Sequence, residues 1–466
     1  MSSTFLGIST AQSGLAAQMR AMQVTSYNIA HANDTTYKRQ RLVLVEGQVL
    51  ATQQEAGSIG SSVVGSGATS GDAVRVRNAL VENRIQIVTS SAAEWDYKQT
   101  SMSQIESIIG EPSDTGLEND LDKFWNAWET VSNNPEEDSL RTSLLEDTTS
   151  LCERIQYQYG QLSDMTDDLN LEAEDIVDQI NLMSKEIANL NNEIGALSTD
   201  NEPVNDLLNR RDALVLELAK YTDVTQCGED SDSFIISIGG HVLVQGTLVN
   251  ELAAVPNAGG QSDIVWAKDS DPVDVTGGKL KAVLDLRDEI VPGYMSALDD
   301  LATELVSAVN AVHVTGLTSG GAVPGDFFKA GTTAANISLD DNIIDHPELV
   351  AVSSADPLIA GTGNGDIAAA IAGLKTSHIN ASGTTINGMY ETFVGNIGST
   401  SAAAETQSDA AALSLQQFVN QQQAQSGVSL DEELTNMIKF QQAYNAASKV
   451  LTVMDEMLSI LMQTGA

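Results

Sequence analysis

Over the first thirty residues the larger apolar side chains return every seven positions, at Ile8, Leu15, Met22 and Ile29, with Ala11 and Met19 between them. That period marks a helix meeting another helix along one narrow seam. The last forty residues repeat it more strictly. Met437, Tyr444, Leu451 and Leu458 form one ladder, and Phe440, Ala447, Met454 and Leu461 form a second, three positions later. Ser429 and Glu432, at capping-box spacing, predict where this helix starts. Each stripe is too thin to anchor a globular core. The two ends are therefore expected to pair, with each other or with copies of themselves, as a coiled coil.

Between the ends the period changes twice. "GSIGSSVVGSGATSGDA", residues 57–73, reads as a linker or extended segment. From about 90 to 220 the pattern is helical. It is most regular where Leu162, Leu169, Ile176, Met183, Leu190 and Leu197 keep a seven-residue spacing. "STDNEPVND" breaks that helix and "VNDLLNRRDALVLELAKY" starts another, which predicts an antiparallel helical hairpin. Phe234, Ile236 and Ile238 then alternate with polar neighbours, Gly239-Gly240 turns the chain, and Val242 and Val244 continue the alternation, as in a β-hairpin. Helical character returns at about 278, while 315–400 shows no clear period.

The expected fold is thus mainly α with a β-rich insert, nested and rod-like. Residues 1–56 and 426–466 would form a terminal coiled-coil domain, and 57–89 a linker or extended segment. A helical body would take 90–222 with 278–315 and about 400–425. An outer insert would take 223–277 with about 316–399.

Composition narrows the function classes. The 466 residues carry 23 Lys plus Arg against 64 Asp plus Glu, a formal charge of −41, which opposes binding to nucleic acid or an anionic membrane. Aromatics make up only 5%, in keeping with helices packed through small side chains. No run of about 18 apolar residues predicts a membrane span. The first twenty residues lack the basic, apolar and cleavage regions of a signal peptide, which taken alone points to the cytoplasm. Cys152 and Cys227 form no CxxC and are expected as two inert thiols.

Candidate chemistry is sparse. His31, His241, His313, His346 and His378 are scattered without metal-ligand spacing, so no metal or cofactor is expected. No G-x-S-x-G occurs, and "GSGATSG" lacks the GK[ST] end of a phosphate loop. "GTGNGD" at 361–366 reads as a loop. Acidic pairs such as Glu136/Glu137 and Asp167/Asp168 read as solvated helix faces. Trp125 and Trp128, beside Phe124 and Leu121, read as a local core. No catalytic residue is predicted.

"TAQSGLAAQMRAMQVTSYNIAHANDTTYKRQ" resembles the N-terminal motif of the axial proteins of the bacterial flagellum. The matching residues are Ser13, Gly14, Leu15, Ala17, Ser26, Asn28, Ile29, Ala30, Asn33, Tyr37 and Arg39. His31 departs from the motif, and Asp34–Thr36 replaces its Thr-Pro-Gly turn. "LDEELTNMIKFQQAYNAASKVLTVMDEMLSIL" and the segments "QINLMSKEIANLNNEIG" and "GGHVLVQGTLVNELAAV" resemble the flagellar hook-associated family at the hook–filament junction.

The resemblance implies a structural protein, not an enzyme, exported uncleaved through the flagellar type III channel and required for filament assembly and motility. Its implied partners are hook protein, the second hook–filament junction protein, copies of itself in a ring, and a cytoplasmic export chaperone at the C-terminal helix. A secreted coiled-coil scaffold or adhesin-like protein is the alternative. Leu15, Met22 and Ile29 are expected to meet Tyr444, Leu451 and Leu458. Met454, Leu458 and Leu461 would be open to a chaperone before assembly. So thin a seam also predicts termini that order only on joining neighbours, and the charge predicts a saline habitat, where screening is strong.

Overall fold

The computed structural model describes residues 2–34, 36–46, 49–51, 63–65, 67–113, 115–199, 203–228, 233–355, 363–378 and 383–464. Helix α1 (Ser2–Ala30) leads through a tight turn into strand β1 (Gln40–Glu46). Strands β2 (Val49–Ala51) and β3 (Val63–Gly65) pair with each other, and β4 (Ala68–Arg75) returns antiparallel along β1. The described part of the expected 57–89 linker is therefore strand up to Arg75 and helix from Ala79. The strands were hidden by Gly and Ser, which carry no alternation to read.

The body is a set of long helices: α2 (Ala79–Ile109), α3 (Leu117–Asn133), α4 (Asp138–Thr199) and α5 (Asn205–Tyr221). The Asn78 side chain caps α2 by accepting from Leu80 N and Val81 N, and Gly110, at φ +67°, ends it in the left-handed conformation. A helix from Gly278 to His313 follows the sheet region, as α6 (Gly278–Asp285), a π-helical turn at Leu286–Ile290, and α7 (Val291–His313). After the short helices α8 (Asp341–Ile344) and α9 (Asp366–Ala372) come α10 (Ile386–Ser426) and α11 (Leu430–Thr464). Two hydrogen bonds set α10 antiparallel to α2: Asn78 Nδ2 to Gln425 Oε1 at 2.9 Å, and Tyr390 OH to Glu111 Oε1 at 3.1 Å.

The insert is a four-stranded sheet, β5 (Thr225–Cys227), β6 (Ile235–Ile238), β7 (His241–Gln245) and β8 (Leu248–Val249), followed by the hairpin β9 (Leu252–Pro256) and β10 (Ser262–Trp266). The expected turn falls at Gly239-Gly240, whose φ values of +53° and +82° suit glycine. Three buried or half-buried asparagines of α4 hold the insert by its backbone. Asn170 Oδ1 accepts from Ser262 N at 2.7 Å, and Asn191 Nδ2 donates to Gly246 O at 2.8 Å. Asn181 makes a reciprocal pair with Leu252, both bonds 2.9 Å. At spacings of 11 and 10 residues they share one face of α4, since eleven residues is close to three whole turns. Arg211 adds a bond to Asn191 Oδ1 at 2.9 Å while its guanidinium lies 3.8 Å from the centroid of the Phe234 ring.

Residues 316–399 were expected to join the β insert, but their described part packs on the helical body. Phe327 and Phe328 enter the aromatic cluster of Phe124 and Trp128, with centroid separations of 5.0 Å for Trp128–Phe327 and 6.0 Å for Phe124–Phe328. His313, fully buried at the end of α7, ties this segment down: its Nδ1 lies 2.9 Å from Gly325 O, and its Nε2 accepts from Ala351 N at 2.9 Å. These residues are held by tertiary contacts and not by a period, so no sequence pattern announced them.

Candidate assembly interface at the terminal helices

Helix α1 packs along α11, and two contacts fix how. The Cα hydrogen of Gly7 faces Met454 so closely that a Cβ there would lie 2.8 Å from Met454 Cε. At the other end, Asn28 Nδ2 donates to Glu433 Oε2 at 3.1 Å. Twenty-one residues separate the two points on each helix, three heptads in both, so the helices run antiparallel in even register.

Asn28 is the centre of the site. Only 1% exposed, it donates to Gln40 O at 2.9 Å as well as to Glu433, and its Oδ1 accepts from Gln40 N at 2.9 Å and Tyr37 OH at 2.8 Å. All its polar capacity is used, and one side chain joins α1, the following turn, β1 and α11. Burial pushes the Tyr37 hydroxyl pKa up, which keeps it a donor. Arg39 adds a second tie: NH1 to Glu432 Oε2 at 2.9 Å, NH2 to Glu433 Oε1 at 2.8 Å, and its backbone N to Ser426 O at 3.1 Å. Glu433 is 2% exposed, so this is a desolvated pair, not a rim contact. The expected capping box is only half formed, because the Glu432 carboxylate reaches for Arg39. Ser429 Oγ still accepts from Glu432 N, at a long 3.5 Å.

The turn that departs from the motif is closed by Asp34. Its Oδ1 accepts from Thr36 N at 2.9 Å and from Thr36 Oγ1 at 2.7 Å, which holds the carboxyl below its usual pKa. This local side-chain turn does the work of the absent Pro-Gly; Thr35 lies outside the described residues. His31 stacks on Tyr37 at 4.9 Å and 19°, beside Tyr27 at 4.3 Å. Tyr27 OH donates to Asp206 Oδ2 at 2.5 Å, which pushes its pKa up to about 12 and links α1 to α5.

Further ion pairs bind the hairpin to the body. Arg75 reaches Asp212 at 2.7 Å, Arg77 reaches Glu82 at 2.7 Å, and Lys38 lies 3.9 Å from Glu82. Desolvation lowers the pKa of Lys38, a cost that its acidic neighbours offset only in part.

The remaining residues picked out by periodicity fall in two groups. On α11, Met437, Phe440, Tyr444, Ala447, Leu451, Met454 and Leu458 form one half-buried stripe; the side chain of Leu461 lies outside the described residues. On α1, Ile8, Leu15, Met22 and Ile29 are also half-buried, but the most buried residues are smaller: Ala11, Ala17, Ala21, Thr25 and Asn28. The antiparallel register places Leu15 level with Tyr444 and Ala447, Met22 level with Met437 and Phe440, and Ile8 beside Met454. Ile29 sits at the Glu433 end and does not reach Tyr444, Leu451 or Leu458, contrary to expectation. Of the motif residues, Ser13 Oγ donates to Thr10 O at 3.0 Å, Ser26 and Ala30 are exposed, Asn33 lines the groove beside Arg39, and Gly14 has open space where a Cβ would stand. The role of Arg39 had no signal in periodicity. Only its place in the motif marked it.

Fold and site together define a mainly helical protein whose two chain ends pack on one another beside a helical body and a sheet insert. Residues 102–328 match the family model for the flagellar hook-associated protein FlgK helical domain, and 419–464 match the C-terminal model of flagellar basal body rod proteins. The chain is 28% identical to flagellar hook-associated protein 1 of Bacillus subtilis, covering 98% of each. It is 24% identical to that of Salmonella typhimurium, covering 98% of this chain and 99% of the relative. The solved hook junction protein FlgK of Burkholderia pseudomallei superposes with a TM-score of 0.65 at 16% identity, over 73% of this chain and 99% of that one, and so shares the fold. The chain belongs to the flagellar hook-associated protein 1 family.

Among the described residues no group of three or more His, Cys, Asp or Glu is arranged to hold a metal ion, and no helix is long and apolar enough to cross a membrane.

Proposed function

We propose that this chain is a structural subunit of the flagellar hook–filament junction, with α1 and α11 forming the coiled coil through which it enters the axial assembly. The knot at Asn28, where both chain ends share one buried hydrogen-bond network, carries this reading, because a subunit of this family has to bring its ends together to polymerise. Copies form a ring with hook protein on one side and the second junction protein on the other. The subunit leaves the cell by flagellar type III export.

Before assembly the terminal helices are largely unfolded. Small side chains at Gly7, Ala11, Ala17 and Ala21 bury little area, less than ordering two long helices requires in a lone subunit. The disordered α11 segment around Met454, Leu458 and Leu461 is the surface for an export chaperone. Deleting the gene tests the function. The expected phenotype is hooks without filaments, with filament protein released to the medium. Normal filaments on the deletion strain would overturn it.

A further inference from the structure

The formal charge of −41 is not spread along the chain. Residues 1–78 and 426–466 hold eight of the 23 basic and nine of the 64 acidic residues, a net −1, and the remaining 347 residues carry −40. Two bodies of that charge repel within a Debye length of about 8–10 Å at physiological salt, whereas two terminal regions do not. The terminal region also exposes two apolar faces. On the hairpin, Val43, Leu44, Val45 and Val74 are exposed, Val45 by 51%. On α11, Leu434, Ile438, Val450, Val453, Met457 and Ile460 are exposed, flanking the stripe that packs on α1.

Both faces need cover. A two-stranded hairpin is marginal by itself, and apolar residues in this number along one helix mark a contact site. They belong to two different elements packed on α1. Gly7 meets α11, Thr10 and Ser13 meet the hairpin through Gly67, where a Cβ would lie 2.9 Å from Ser13 Oγ and from Thr10 Cγ2, and Asn28 joins both. Where the hairpin of one copy meets α11 of the next without the reverse contact in the same pair, the contact runs head to tail and closes as a ring or continues as a helix.

We infer that copies of this chain meet head to tail through the near-neutral terminal region, the β1–β4 hairpin of one copy seating on the outer face of α11 in the next. Like charge on the bodies opposes their close approach. This rests on the junction reading above and adds the seam by which copies join.

Disulfide trapping in junctions isolated from cells tests it, in a Cys227→Ser background that removes the exposed native thiol. Val45→Cys and Val453→Cys chains are expressed singly or together, with Val450→Cys as a second α11 position. The expected result is a linked dimer at one α11 position at least, only when both single-cysteine chains are present, and none between Val45→Cys and Leu171→Cys on the body helix α4. Junctions that assemble without the mixed crosslink, or with equal crosslinking of each variant alone, overturn the inference and leave the junction reading standing. Cells that build normal filaments without incorporating the chain overturn both.

Discussion

Asn28 and Glu433 stand 405 residues apart in the chain, and the amide of one donates to the carboxylate of the other at 3.1 Å inside a buried network. A bond between residues so distant forms only if both ends of the molecule reach the same place in the same register. Asn28→Ala orphans the backbone N–H and C=O of Gln40 and the Tyr37 hydroxyl, at about 1–3 kcal/mol for each buried group left unpaired. Complementation of a deletion strain is expected to fall at least tenfold in filaments per cell, with secretion of the variant retained. Unchanged filament counts would remove Asn28 from the assembly site.

Arg39→Lys keeps the charge but cannot span Glu432 and Glu433 with one planar fork. Motility in soft agar is expected to drop for Arg39→Lys and more for Arg39→Gln. Equal swimming by both variants and the parent would show the ion pairs to be dispensable.

Asn181→Ala should loosen the outer insert without touching the termini. It leaves the N–H and C=O of Leu252 unpaired against α4, about 1–3 kcal/mol per group. Hydrogen exchange in β9 and β10 is expected to rise while α2 and α10 keep their protection. Exchange that rises everywhere equally would mean that the insert and the body unfold as one.

His313 predicts a pH response. Burial lowers its pKa from 6.5 to about 4, against the opposing hydrogen bond to Gly325 O, and a proton on Nε2 would also break the bond accepted from Ala351 N. The folded value is depressed, so this stabilisation is complete above about pH 6.5 and is lost progressively as pH falls towards 4, by up to about 3 kcal/mol. Denaturant midpoints measured between pH 7.5 and 5 should fall for the parent and fall less for His313→Gln. Parallel declines would assign the effect to other groups.

The sequence made some of this legible and not the rest, for physical reasons. The α4 heptads and the turn at Gly239-Gly240 follow from periodicity because large apolar side chains there face one way. The α1 seam lies one position before the heptad period, at Gly7, Ala21 and Asn28 and not at Ile8, Met22 and Ile29. Gly7, Ala21 and Thr25 are too small or too polar to register as a hydrophobic stripe, while the larger Leu15 and Met22 flank the contact and carry the seven-residue period. Strands β1 and β4 and the packing of Phe327 and Phe328 depend on partners far along the chain. The whole-chain charge of −41 predicts a saline habitat, but residues 1–78 and 426–466 are almost neutral, which no whole-chain sum reveals. Assembly should accordingly respond weakly to added salt, and a strong requirement for high ionic strength in the parent would instead place body contacts at the seam.

The central claim is a location, and immunogold labelling of isolated flagella with antibody to this chain measures it. The account predicts label confined to the boundary between hook and filament. Label along the filament, along the hook, or absent from flagella altogether would contradict it.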